Sequence, residues 1–245
     1  ISIGSAHSGY PVMNSSFNAN RTYIPTNPVN DWLLWHEVGH NLASAPFSAA
    51  GSIEVTNNLL ALYMQELKGR NENPEMDRIK TDIKKAPKWL EQNDKNAWSH
   101  GDAGLRLVMF GQLKIWAKSN FAIDDWYAKG TSKSDVYGDD QGWNMFKLMH
   151  RKARGDDEGD EGLNYCSAKA TGLNGGDLMI VCSSYVSGYD LSDFFVAWNV
   201  GETSMTNADG SKSYSGGISP KGLRVIEQLE LDKPKSSPLN VDSIY

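Results

Sequence analysis

The pentapeptide His36-Glu37-Val38-Gly39-His40 constrains this chain more than any other feature of its sequence. It is an HExxH motif in a stretch with helical periodicity, and histidines four residues apart lie on one face of an α-helix, so both imidazoles can reach one ion. The glutamate lies next to the metal, where its carboxylate can take a proton from a bound water. The motif predicts zinc held by His36 and His40 with Glu37 as catalytic base; the alternative is a helix with surface histidines and a solvated glutamate.

A catalytic zinc site needs a third protein ligand and leaves the fourth position to water. Glu54 is the favoured candidate because it follows His40 by 14 positions, at the start of a second predicted helix that Ser52 opens. Glu66, three turns farther along that helix, is the rival, although an acidic residue there is usually solvated. Asn58, one turn after Glu54, is expected to accept a hydrogen bond from the non-metal nitrogen of His36, or else to be an ordinary polar helix position.

Peptide or ester hydrolysis also requires a donor for the oxyanion, and the sequence does not identify one. The candidates are Tyr63, His100, Tyr185 and Tyr189, each of which is more often a core or rim residue.

Composition excludes several classes of protein. The chain has 245 residues, 40% of them apolar, and a formal net charge of −6, so no overall positive field attracts nucleic acid. Its longest apolar stretches are about five residues, far below the roughly 18 that a membrane-spanning helix needs. We expect a folded, monomeric domain over residues 1–232 that lacks an upstream part, followed by an exit segment, residues 233–245, that leads to a further domain.

The only two cysteines, Cys166 and Cys182, can form a single intramolecular pair. A disulfide closing a loop of this size would stabilise an exported protein by roughly 3 kcal/mol. Two buried free thiols are the alternative, as in a cytosolic protein.

The predicted fold class is mainly α, with few short strands. Besides the two helices above, helical periodicity and capping residues predict helices over residues 74–92, 102–118, 142–153, 190–199 and 220–231, the last capped by Ser219. The apolar run 178–183 fits either a buried strand or the end of a helix.

Two other polar segments, the acidic loop at 156–161 and the turn at 207–210, could bind calcium, but neither has the spacing of a calcium-binding loop. Trp98, Trp126 and Trp143 could stack on sugar rings if exposed, although burial in the core is the commoner position of tryptophan.

The motif and its surroundings resemble the enhancin-type family of zinc metallopeptidases. The matching stretches are residues 36–40 followed by 51–58, then 8–13, 187–195 with Trp198, and 218–222, which together span nearly the whole chain. The resemblance extends to the C-terminal peptidase region of large exported lipoproteins of Gram-negative bacteria that are associated with colonisation of mucosal surfaces.

The resemblance implies a gluzincin-type catalytic core with one zinc ion on His36, His40 and Glu54, Glu37 as base, and mucin-like O-glycosylated protein as substrate. It also implies a secreted or cell-surface location. Two alternatives remain at this point: a mucin-binding or glycan-binding adhesion module whose zinc site is structural or inactive, with Glu66 or His100 as a fourth ligand, and a zinc hydrolase that acts on non-peptide bonds.

Overall fold

The computed structural model describes residues 6–7, 13–14, 32–68, 77–92, 97–98, 103–127, 135–155, 162–200, 204–206, 212–214 and 218–243. The predicted helix-rich fold is confirmed. The α-helices are α1 (Trp32–Asn41), α2 (Ile53–Thr56), α3 (Asn58–Lys68), α4 (Asp77–Lys80), α5 (Ala86–Leu90), α6 (Ala103–Asn120), α7 (Gln141–Arg154), α8 (Ala168–Thr171), α9 (Gly175–Ser187), α10 (Ser192–Ala197) and α11 (Pro220–Gln228). Short 3₁₀ turns lie at Asp82–Lys85, Ile123–Trp126 and Pro238–Asn240.

The described strands are short and form two antiparallel pairs. β1 (Ala6–His7) pairs with β2 (Met13–Asn14), and β3 (Ser204–Thr206) pairs with β4 (Lys212–Tyr214), with Met205 opposite Ser213. None of the helices in the described ranges is both long and apolar enough to cross a membrane.

The longest helix, α6, lies in the middle of the core. It packs against α7, α4 and the turn at Asp82–Lys85, and Phe110 and Leu113 of α6 are almost completely buried. Helix α9 packs against α7, α10 and α11 and buries most of its length. Helices α1 and α3 pack together, so α3 supports the HExxH helix.

Two helix predictions differ from the structure in their details, and one open alternative is resolved. The helix expected from Ser52 is two segments, α2 and α3, with Asn57 between them in the right-handed helical region (φ −59°, ψ −29°). The helix expected over 74–92 is three short helical pieces within 77–90, with Pro87 in the first turn of α5. The ambiguous run 178–183 belongs to helix α9.

The tryptophans proposed as sugar platforms pack into the protein. Trp98 and Trp143 are buried, which agrees with the core alternative. Trp126 is half-buried, with its ring edge against Tyr185 and its indole N–H donating to Val186 O (3.1 Å).

Cys166 and Cys182 are joined by a disulfide, which ties the loop before α8 to the middle of α9. Both half-cystines are fully buried. The bond lies within the core, so it connects two segments that already pack together.

The C-terminal segment lies against the domain. Lys233 makes ion pairs with Asp190 (2.9 Å) and Asp193 (3.0 Å), and the Trp116 indole N–H donates to Ser236 O (2.7 Å). Gln112 donates to Val241 O (2.9 Å). That this segment leads to a further domain stays a prediction.

Candidate metal centre

A glycine allows the two helices that carry the candidate ligands to approach closely. A Cβ atom on Gly39 would lie 2.0 Å from the backbone oxygen of Asn57, far inside van der Waals contact. The tight approach brings the start of the second helical segment against the HExxH face of α1. An alanine at position 39 would separate these two segments.

This packing brings three potential ligand side chains together. Glu54 Oε2 lies 3.6 Å from His36 Nε2 and 3.5 Å from His40 Nε2. The two Nε2 atoms are 3.2 Å apart, and the ligand atoms of all three residues lie within 4.8 Å of one another. Within the described part of the chain, these three side chains form the group whose ligand atoms are close enough together to hold one metal ion.

Hydrogen bonds orient the first histidine. His36 Nδ1 lies 2.9 Å from Asn58 Oδ1, and Asn58 Nδ2 in turn donates to Glu54 O (3.0 Å). When Nδ1–H donates to the asparagine oxygen, the lone pair of the imidazole is on Nε2, the atom that faces Glu54. Asn58 therefore fixes the tautomer that a metal requires.

The neighbouring Asn57 also contacts the site, although the sequence analysis did not single it out. Its Nδ2 lies 3.0 Å from His36 Nδ1 and 3.0 Å from His40 Nε2, while its Oδ1 is buried without a hydrogen-bond partner. The only signal in the sequence was its position between Glu54 and Asn58.

The donor set fits zinc. Two imidazole nitrogens and one carboxylate oxygen are the typical ligands of a catalytic zinc ion, and the partly exposed Glu54 leaves the site open on one side. Glu37, on the same helix, is buried at 7% exposure.

A cavity of about 480 Å³ opens next to these residues. His36, Glu54 and Asn58 line it together with residues from α6 and the preceding 3₁₀ turn, including Arg106 and Asp82. Arg106 donates to Trp98 O (3.0 Å). Its helix was predicted, but no motif connects position 106 to the candidate ligands, so Arg106 could not be selected from sequence.

The structure places Glu66 away from the candidate ligands, in a buried ion pair. Its carboxylate lies 2.6 Å from Lys114 Nζ and accepts a hydrogen bond from the Trp143 indole N–H. Asp140 lies 3.0 Å from the same Lys114 nitrogen. Burial opposes the charge on Lys114, but the two carboxylates outweigh burial and raise the pKa of Lys114. The expectation of a solvated Glu66 was therefore wrong, because residues from α6 and α7 cover it.

The tyrosines considered as oxyanion donors are dispersed. Tyr63 packs against Trp143, with ring centroids 5.3 Å apart. Tyr185 packs against Trp126 and Tyr165, and Tyr189 packs against Trp116. None of the three lines the described wall of the metal-site cavity. His100, the acidic loop 156–161 and the turn 207–210 lie outside the described residues.

Sequence comparison connects the chain to a known family. The profile of Peptidase M60, enhancin and enhancin-like, matches residues 1–199. The chain is 46% identical over 251 aligned positions to a putative lipoprotein AcfD homolog of Escherichia coli strain K12, and 44% identical to accessory colonization factor AcfD of Vibrio cholerae. Each alignment covers 100% of this chain but 16% of the relative, so the chain spans about a sixth of these proteins.

Solved structures show the same fold. The IMPa metallopeptidase from Pseudomonas aeruginosa superposes with a TM-score of 0.57 and 16% identity, over 95% of this chain and 25% of that one. The structure of IMPa with T-antigen gives a TM-score of 0.58 at 17% identity, over 95% and 25% of the two chains. A conserved protein of unknown function from Bacillus anthracis gives 0.52 at 21% identity, over 86% and 33%. Together with the family match, these findings show that the chain belongs to the Peptidase M60, enhancin and enhancin-like family and is a metallopeptidase domain.

Proposed function

We propose that this domain is a zinc endopeptidase of the gluzincin type that hydrolyses peptide bonds in mucin-like O-glycosylated proteins. His36, His40 and Glu54 hold the ion, and Glu37 is the general base. The observation that carries the proposal is the convergence of the three ligand side chains, whose donor atoms lie within 4.8 Å of one another.

When bound, zinc polarises the scissile carbonyl and lowers the pKa of the attacking water to about 7. Glu37 accepts a proton from that water and delivers it to the leaving amine. Asn58 keeps His36 in the tautomer whose Nε2 is free to bind the ion, because the asparagine oxygen accepts the hydrogen of Nδ1. The buried position of Glu37 limits competing water around its carboxylate.

The substrate class rests on the relatives. Structures of IMPa, which shares this fold, have been solved with an O-glycopeptide and with T-antigen. The relatives that match the full chain are named as lipoproteins or as a colonization factor. These names support an exported domain that meets glycoproteins at a bacterial surface.

The decisive experiment compares the zinc-loaded protein with its Glu37→Gln variant on an O-glycosylated mucin and on the same mucin after deglycosylation. The variant retains zinc, because the glutamine leaves His36, His40 and Glu54 in place, but it cannot accept the proton. Turnover is expected to fall by about a thousandfold or more. Glu227→Gln, on the exposed face of α11, is the matched control and is expected to cleave normally.

Full activity in Glu37→Gln would refute the mechanism. Cleavage that is equally fast on the deglycosylated mucin would refute the substrate class. Zinc-dependent mucin binding without any cleavage would favour an adhesion module with an inactive metal site.

A further inference from the structure

A second cavity, of about 510 Å³, lies next to the metal centre and opens between the end of α1, helix α3 and helix α7. Gly39 and Asn57 line it, and these are the two residues at the contact between α1 and the second helical segment. Asn57 connects the two places, because it lines this cavity and its Nδ2 lies 3.0 Å from His40 Nε2.

The cavity has a largely apolar floor. Phe47, Leu59 and Phe146 line it, and the rings of Phe47 and Phe146 stack with centroids 5.5 Å apart. Leu42, at 60% exposure, adds apolar surface where the cavity meets solvent. Aromatic and aliphatic surface of this kind packs well against the carbon faces of a sugar ring.

One face of α7 supplies positively charged side chains to the cavity wall. Lys147, Arg151 and Arg154 all line the cavity, at the helical spacing that places them on one side of the helix. Lys147 Nζ donates to Val136 O (2.8 Å) and lies 5.0 Å above the ring of Tyr63. None of the described residues that line the cavity is acidic. A chain with net charge −6 therefore concentrates three cations around one cavity.

His150 lies on the same face of α7 and also lines the cavity. Its ring packs against Phe47, with centroids 4.8 Å apart. Burial, aided by the charge of Arg154, lowers the pKa of His150 to about 4. The imidazole is therefore neutral at physiological pH and offers one donor and one acceptor for the hydroxyl groups of a ligand.

We propose that this cavity binds the acidic substituent of a glycan on the substrate, either the carboxylate of a sialic acid or a sulfate ester. Arginine pairs with carboxylates and sulfate-like oxyanions through its planar set of donors, and the apolar floor accommodates the sugar ring. The volume lies within the range that holds a drug-sized molecule and is too large for an aspartate or glutamate side chain alone. The inference rests on the proposed function, because it assigns the substrate's glycan to this place.

Binding can be measured without turnover in the zinc-loaded Glu37→Gln protein. Calorimetry would compare four glycopeptides with one peptide sequence: a neutral O-glycan, its sialylated form, its sulfated form, and the neutral form with one added glutamate. We expect the sialylated or the sulfated peptide to bind about fivefold more tightly than the neutral one in low salt, with the difference shrinking as salt screens the charges.

Two arginines in exposed helix positions provide the matched variants. Arg154→Gln, in the Glu37→Gln background, is expected to remove at least half of the preference for the acidic glycan, whereas Arg224→Gln on α11 leaves it unchanged. Lys147→Gln is the second test at the cavity if Arg154→Gln lowers the melting temperature. All variants should bind the neutral glycopeptide equally.

Equal affinity for the neutral and both acidic glycans would overturn the proposal. So would a preference that survives both Arg154→Gln and Lys147→Gln, or one that the added glutamate reproduces in full. These outcomes are distinct from failure of the proposed function, which appears as absent cleavage of the neutral glycopeptide by the protein with Glu37 intact.

Discussion

Glu54 and Glu66 are two carboxylates of neighbouring helical segments, and they have opposite surroundings. The side chain of Glu54 is 59% exposed and faces two imidazoles, whereas that of Glu66 is 3% exposed and pairs with Lys114. An exposed carboxylate next to neutral nitrogen ligands can bind a cation from solution. A buried carboxylate must already have its counterion, because burying an unpaired charge costs several kcal/mol. Burial and pairing thus separate a metal ligand from a structural charge.

The largest effect should come from the exposed carboxylate. Glu54→Ala removes one of the three proposed zinc ligands, so we expect loss of stoichiometric zinc and loss of measurable peptidase activity. Stability of the metal-free protein should change by less than about 0.5 kcal/mol, because the side chain is exposed. Elemental analysis and urea unfolding without metal would test both parts. Retained zinc would transfer the ligand role to another residue.

The buried pair should show the reverse behaviour. Lys114→Met leaves Glu66 and Asp140 without their shared cation, and we expect a loss of about 3 kcal/mol of unfolding free energy with zinc content unchanged. Lys118→Met is the matched control, since Lys118 is half-exposed and lies 3.9 Å from Asp140, and it should cost less than about 1 kcal/mol. Similar losses of unfolding free energy in both variants would show that burial does not set how much a lysine–carboxylate pair stabilises this fold.

An intermediate effect is expected from the residue that orients His36. Asn58→Ala removes the acceptor of the Nδ1 hydrogen while leaving all three ligands in place. Zinc affinity should fall by about 10- to 100-fold, measured by competition with a chelator. Asn58→Asp, which restores an acceptor for the Nδ1 hydrogen, should recover most of the lost zinc affinity. An unchanged affinity in Asn58→Ala would show that another contact fixes the tautomer.

A titratable side chain that lines a cavity, and has no adjacent carboxylate in the described structure, extends the comparison to pH. The pKa of His150 is about 4 in the folded protein, compared with its ordinary value of 6.5, so the unfolded chain takes up the proton first as pH falls. Stability should therefore decrease between pH 6.5 and 4. His150→Gln should reduce this loss by about 2 kcal/mol, measured by urea unfolding of the metal-free proteins at pH 7.5 and 4.5. If the unchanged protein and His150→Gln lost the same unfolding free energy between pH 7.5 and 4.5, the lowered pKa of His150 would not be the cause of the loss.

Local sequence patterns predicted much of this fold. Capping by Ser219 and proline at the first helical position placed the start of α11 correctly, and periodicity located α6 and α7 to within two residues at each end. The break at Asn57 between α2 and α3 was missed because apolar residues keep their helical spacing on both sides of it.

In the candidate site too, local spacing predicted some residues correctly, whereas contacts between distant segments could not be predicted. Spacing within α1 selected His36 and His40, and the start of the next helix selected Glu54, because one-turn spacing fixes which side chains share a face. Glu66 was the rival candidate on the same predicted helix, yet helices α6 and α7 cover it. Its environment depends on partners 48 and 77 positions away in the chain, and no local pattern contains them.

The sequence by itself determined the metal-binding residue types, their helical spacing and the helix-rich class, since these follow from neighbours within a few turns of chain. Tertiary structure alone decided how close α1 and α3 come at Gly39, where Asn57 directs its amide, and which cations of α7 share a cavity with the end of the HExxH helix. The reason is physical. Contacts between distant segments depend on how complete helices pack, and packing is a property of the whole core.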